Sequence, residues 1–208
     1  MRDWTKIPPA LPGQRIGLLG GTFNPAHDGH RHISLMALRR LELDRIWWMV
    51  TPGNPLKSNG DLPPLAQRAS VAERLADHPS ITVTGLEAGI KTRFTYDTLA
   101  TLVQRFPATR FVWLMGADNL AQFHRWQGWR DIAELMPIAV VDRPGSSLAT
   151  QSSVAAQTLA RYRIREEDSA ILPSLRAPAW TFLHGPLSHT SSTAIRARRA
   201  HLGKPDLG

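Results

Sequence analysis

Strand-length apolar runs, each followed by a stretch with helical periodicity, are what most narrows the folds open to this chain. Residues 16–19 (Ile-Gly-Leu-Leu), 46–50 (Ile-Trp-Trp-Met-Val), 111–115 (Phe-Val-Trp-Leu-Met) and 138–141 (Ile-Ala-Val-Val) carry no polar alternation. Both faces of such strands must be covered. After the first run Ile33, Met36, Ala37 and Leu41 recur at helical spacing, predicting a helix over 28–41. Further helices are expected over 65–76, 95–106, 129–135, 146–163 and 193–200, and further strands over 81–84 and 179–183. Residues 116–129, rich in tryptophan, show no clean period. Alternating strands and helices imply an α/β fold, a doubly wound Rossmann-like parallel sheet with helices on both faces. Ligands of such sheets bind beyond the carboxyl ends of the strands, near the point where strand order reverses.

A length of 208 residues suits one domain. We expect an N-terminal extension over 1–14, the domain over 15–203 and a tail over 204–208. The apolar runs fall far short of the roughly 18 residues that span a bilayer, so no membrane partner is expected. The proline-rich start lacks the pattern of a secretory signal, and a cytoplasmic setting fits. With no cysteine there is no disulfide, no thiolate nucleophile and no thiolate-bound zinc. The net charge of +8 favours anionic partners. No basic and aromatic alternation accompanies it, so nucleic acid is not expected.

The stretch Gly20-Gly21-Thr22-Phe23-Asn24-Pro25-Ala26-His27-Asp28-Gly29-His30 falls where the first strand hands over to the first helix. Glycines without Cβ atoms let backbone N–H groups approach a phosphate, Asn24-Pro25 turns the chain, and Asp28 or its neighbour can cap the helix. His27 and His30 can converge at the helix start, where unpaired N–H groups and the positive dipole end favour an anion. Two histidines three apart are by themselves as compatible with incidental placement or an incomplete metal pair. Their position after a glycine-rich strand end favours phosphate, with donors that stabilise charge while a bond to phosphorus is exchanged. Neither the G-x-G-x-x-G fingerprint nor the Walker lysine loop is present.

A second constellation is Thr190-Ser191-Ser192-Thr193-Ala194-Ile195-Arg196. Its hydroxyls can cap a helix, or join Arg196 and free N–H groups in gripping the outer phosphates of a nucleoside triphosphate.

With both motifs in view, the chain resembles the bacterial nicotinate-nucleotide adenylyltransferases of the HxGH nucleotidyltransferase superfamily. The first motif matches the family's Gly-Gly-Thr-Phe-Asp/Asn-Pro-x-His-x-Gly-His throughout. The second departs from Ile-Ser-Ser/Ala-Thr-x-Ile-Arg only at Thr190. Pro52-Gly53-Asn54-Pro55-Leu56-Lys57 is similar to the family's loop after the second strand, without its double proline and histidine. Arg93-Phe94-Thr95 stands where Ser-Tyr-Thr is usual. Gly116-Ala117-Asp118-Asn119-Leu120, Phe123-His124-Arg125-Trp126 and Arg143-Pro144-Gly145 also follow the family pattern. Relatives usually continue past the final helix into a proline-started helical tail, whereas this sequence stops at Gly208.

The resemblance implies transfer of AMP from ATP to nicotinate mononucleotide, giving deamido-NAD and pyrophosphate. It implies direct in-line attack with no covalent enzyme intermediate. His27, His30 and Arg196 are the implied catalytic residues. Gly20, Gly21, Thr22, Phe23, Gly116, Asp118, Ser191, Ser192 and Thr193 join them in holding ATP. Asp118 is expected on a ribose hydroxyl or on magnesium. Lys57, Thr95, Trp126 and Arg143 are implied to hold the mononucleotide, with Trp126 stacked on the pyridine ring. Mg2+ is expected to arrive with ATP and not at a dedicated protein metal site, and a homo-oligomer is compatible with the family. Two rivals stand beside this expectation: a different acceptor, such as phosphopantetheine or nicotinamide mononucleotide, and a non-catalytic nucleotide-sensing or nucleic-acid-binding module.

Overall fold

The computed structural model describes residues 3–53, 62–142, 150 and 152–185, and these carry the expected alternation of strands and helices. In chain order they form β1 (Arg15–Gly21), α1 (Asp28–Arg40), β2 (Arg45–Val50), α2 (Leu65–Ala76), β3 (Ile81–Thr84), α3 (Leu86–Ile90) and α4 (Thr95–Arg105). There follow β4 (Arg110–Gly116), α5 (Ala117–Gln122), α6 (Trp129–Leu135), β5 (Ile138–Val141), α7 (Val154–Thr158) and β6 (Trp180–Leu183). The six strands make one sheet in the order β3-β2-β1-β4-β5-β6, every neighbouring pair parallel. Strand order therefore reverses between β1 and β4, where Leu19 lies opposite Leu114. That juncture is where a doubly wound sheet opens its ligand crevice.

Strands without polar alternation bury side chains on both faces, and the two cores follow from this. On one face Ile16, Leu18, Trp47, Met49, Phe111, Trp113 and Met115 pack with residues of α3, α4, α5 and α6. On the other, Leu19, Ile46, Trp48, Val50, Val112 and Leu114 pack with the small or branched residues Ile33, Ala37, Ala69 and Ala72 of α1 and α2. Among the described residues no helix is long and apolar enough to cross a membrane.

Three differences from the sequence expectation have local causes. The helix expected over 146–163 is not continuous: among the described residues Thr150 is helical, residues 152 and 153 are turn and bend, and a short helix α7 follows, itself succeeded by a 3-10 turn at Ala160–Tyr162. Ser153 starts α7, its Oγ accepting from the Ala156 N–H at 3.3 Å, because serine competes with helical bonding and so caps better than it continues. The five-residue α3 and the 3-10 segment Glu166–Ser174 are too short or too irregular to leave a 3.6-residue period. Residues 116–129 resolve into α5, a 3-10 turn at Phe123–Arg125 and a left-handed Gly128 (φ 67°). The helix expected over 193–200 lies outside the described residues. The start of the chain lies against β3 and α3: the Gly85 N–H donates to the Trp4 carbonyl at 2.7 Å and Thr84 Oγ1 to the Lys6 carbonyl at 2.9 Å.

Candidate active site

The turn from β1 into α1 lies at the carboxyl edge of the sheet, beside the point of strand reversal. His27 is the N-cap of α1, in extended conformation (φ −150°, ψ 164°), and His30 occupies its third helical position. The spacing thus brings the imidazoles together at the helix start, ring centroids 3.9 Å apart. The His27 backbone N–H donates to His30 Nδ1 at 3.2 Å, and the His30 N–H to the His27 carbonyl at 2.8 Å. Because Nδ1 accepts, neutral His30 carries its proton on Nε2, which makes that nitrogen the donor of the ring. His27 is buried and His30 half-buried.

Aromatic packing and two hydrogen bonds hold this turn. Phe23 sits at φ 46°, a region that side chains with a Cβ seldom occupy. Its buried ring stacks on Trp48 with centroids 5.2 Å apart and meets the His30 ring at 4.6 Å. These contacts over-determine the residue and hold the unusual backbone. Trp48 Nε1 donates to Ser34 Oγ at 2.7 Å, and Ser34 Oγ donates to the His30 carbonyl at 2.8 Å. The relay ties the first turn of α1 to β2.

A second tie comes from α2. The Arg68 guanidinium is buried, 3% exposed, and donates to four carbonyls: Nε to Pro63 at 2.7 Å, Nη1 to Thr22 at 2.7 Å and Thr51 at 2.8 Å, and Nη2 to Pro52 at 3.3 Å. Among the described residues no carboxylate pairs with it. Burial lowers its pKa from the ordinary arginine value, though an arginine still keeps its charge at neutral pH.

The other side of the crevice is built on β4. A Cβ at Gly20 would come within 2.6 Å of Cη2 of Trp113, so packing against β4 demands that glycine whatever binds nearby. A Cβ at Gly21 would make only ordinary contacts, the nearest at 3.6 Å on Phe23. The Trp113 ring meets Trp126 edge to face at 6.3 Å, and Trp126 meets Phe123 likewise at 5.5 Å. Tyr96, beside Thr95 in the first turn of α4, would lie 3.5 Å from a Cβ on Gly128, so the segments bearing Thr95 and Trp126 are neighbours. Thr95 and Trp126 are both half-buried. Gly116 ends β4, and Asp118 is exposed in the first turn of α5.

The structure thus gathers Gly20, Gly21, Thr22, Phe23, His27 and His30 in the turn after β1, sets Gly116 at the end of the neighbouring β4 with Asp118 two residues on, and brings the segment of Thr95 beside that of Trp126, whose ring reaches Gly20 through Trp113. Lys57, Arg143, Ser191, Ser192, Thr193 and Arg196 lie outside the described residues. Sequence reasoning missed Arg68, Ser34, Trp48 and Trp113, all of which act on the site by contact and not by motif. It also missed Glu87, buried behind Thr51. Burial pushes this carboxyl above its ordinary 4.5, with Thr51 and Thr98 hydroxyl groups opposing the shift. Among the described residues no group of three or more His, Cys, Asp or Glu could hold a metal ion.

Comparison with known proteins agrees with this fold and gives the family. Residues 18–198 match the family model described as cytidylyltransferase-like. A protein of Methylorubrum extorquens (strain PA1), named probable nicotinate-nucleotide adenylyltransferase, is 59% identical over 184 residues, covering 88% of this chain and 100% of that protein. One of Mesorhizobium japonicum with the same name is 55% identical over 190 residues, 91% of this chain and 97% of that protein. Among solved structures, a Plasmodium falciparum nicotinic acid mononucleotide adenylyltransferase complexed with NaAD superposes with a TM-score of 0.67. It is 18% identical and covers 88% of this chain and 83% of that one, a likeness of fold.

Proposed function

Since the chain belongs to the cytidylyltransferase-like family, among relatives named nicotinate-nucleotide adenylyltransferase, we propose that it transfers AMP from ATP to nicotinate mononucleotide. A phosphate oxygen of the mononucleotide attacks the α-phosphorus of ATP, the bond from that phosphorus to the bridging oxygen of the β-phosphate breaks, and pyrophosphate leaves. Deamido-NAD is the other product. No side chain becomes covalently attached, so the protein contributes positioning and charge stabilisation.

The observation that carries this reading is the pairing of His27 and His30 in the first turn of α1, where strand order reverses. His30 Nε2–H, fixed by the bond at Nδ1, is suited to donate to an oxygen on the α-phosphate as charge builds there. His27, Gly21 and Thr22 line the same turn, and Gly116 and Asp118, at and just after the end of the neighbouring β4, are proposed to join them on ATP. Trp126, with Thr95 nearby, is proposed to take the pyridine ring. Arg196 with Ser191, Ser192 and Thr193 is proposed to hold the departing pyrophosphate, and Lys57 and Arg143 the mononucleotide. The exposed carboxylate of Asp118 has the hard oxygen chemistry that suits a hydrated magnesium ion or a ribose hydroxyl. Magnesium bound to ATP supplies neutralisation of the triphosphate charge. The proposed setting is the cytoplasm.

The test is the initial rate of pyrophosphate and dinucleotide formation with ATP and either nicotinate or nicotinamide mononucleotide. The acid should be the preferred acceptor. Preference for the amide would replace the acceptor, and no pyrophosphate with either would remove the activity.

A further inference from the structure

We propose that Arg68 is a positioning residue of the nucleotide site, clamping the turn after β1 to both ends of the connection between β2 and α2. The proposal rests on the nucleotidyltransferase reading of that turn. Its four acceptors come from three separate segments: Thr22 follows β1, Thr51 and Pro52 follow β2, and Pro63 precedes α2. No other described side chain donates to all three. Thr51 N–H already donates to the Gly21 carbonyl at 3.0 Å, so the first two segments are sutured and the guanidinium adds the third.

Arginine suits this task because its planar fork offers five N–H groups in fixed directions and no acceptor. A lysine carries the charge but cannot reach four carbonyls in these directions. The carbonyls matter as well as the cation. A backbone C=O drawn toward Arg68 is turned away from whatever binds the opposite side of its peptide plane, and arriving phosphates are repelled by carbonyl oxygens. With no carboxylate among its described partners, the guanidinium also leaves one net positive charge beneath a turn that is proposed to receive a triphosphate.

The experiment compares the full-length parent with Arg68→Lys and Arg68→Met, measuring ATP affinity by titration calorimetry in magnesium buffer, kcat and both KM values, and the melting temperature. A positioning role lowers ATP affinity about tenfold in Arg68→Lys, the scale of one charged hydrogen bond. Arg68→Met should lose more, and KM for the mononucleotide should rise in both variants. A merely structural role lowers the melting temperature and the active fraction while leaving ATP affinity and both KM values, measured well below the melt, within twofold of the parent. That result overturns the proposal. If the parent binds ATP but does not turn over nicotinate mononucleotide, the functional reading fails alone, and Arg68 is judged on the ATP affinities.

Discussion

In the turn after β1 directional hydrogen bonds add to the packing of the Phe23 ring, whereas the Trp126 ring across the crevice is set by ring edges. Arg68, the Trp48–Ser34 relay and the His27–His30 pair each set an atom's place to within the tolerance of a hydrogen bond. Trp126 meets Trp113 and Phe123 by edge-to-face contacts of 6.3 Å and 5.5 Å, which allow its ring to tilt at little cost. The difference matches two tasks. Stabilising charge on one phosphorus atom demands fixed donors, while holding a flat ring needs area and some give.

That contrast can be broken or sharpened at four positions. The largest effect is expected from His30→Ala, which removes the Nε2 donor; kcat should fall about 100- to 1,000-fold with KM for ATP changed little, as steady-state rates will report. Next, Trp126→Ala should raise KM for the mononucleotide about tenfold, the scale of one lost aromatic stack, and leave kcat nearly intact. Ser34→Ala leaves the Trp48 indole without its acceptor and should cost about 1 to 3 kcal/mol in urea unfolding, with a few-fold loss of kcat because the first turn of α1 loosens. Unchanged kcat there would separate the relay from catalysis.

The smallest effect concerns Glu87. Its folded pKa is raised above the ordinary 4.5 by burial, so the folded state holds a proton that the unfolded chain releases. The stability this contributes is present below the unfolded pKa and is lost as pH rises through the folded value. Glu87→Gln stays neutral throughout. Its advantage in melting temperature over the parent should therefore grow from pH 4 toward pH 7, and a constant difference across that range would contradict the assignment.

The parallel sheet was legible because strands buried on both faces leave unbroken apolar runs, as at residues 46–50 and 111–115. The histidine pair was legible because helical geometry makes positions three apart neighbours, and a cap adjoins the third helical position in space. Gly20 was legible only in part: its absent Cβ was credited to phosphate approach, while Trp113, distant in sequence, sets the packing demand. Arg68 left no local trace. An arginine in an amphipathic helix reads as solvent-facing, and only the long-range folding of Thr22, Thr51 and Pro63 around it reveals a clamp. The left-handed Phe23 was equally hidden, since nothing in Thr-Phe-Asn signals a ring that must reach Trp48.

The division of labour between the two sides is tested most directly by kcat at saturating ATP and nicotinate mononucleotide for His30→Ala and Trp126→Ala, measured side by side with the parent. The account predicts a turnover collapse in His30→Ala and near-parental turnover in Trp126→Ala. The reverse pattern, or equal losses in both, would contradict it.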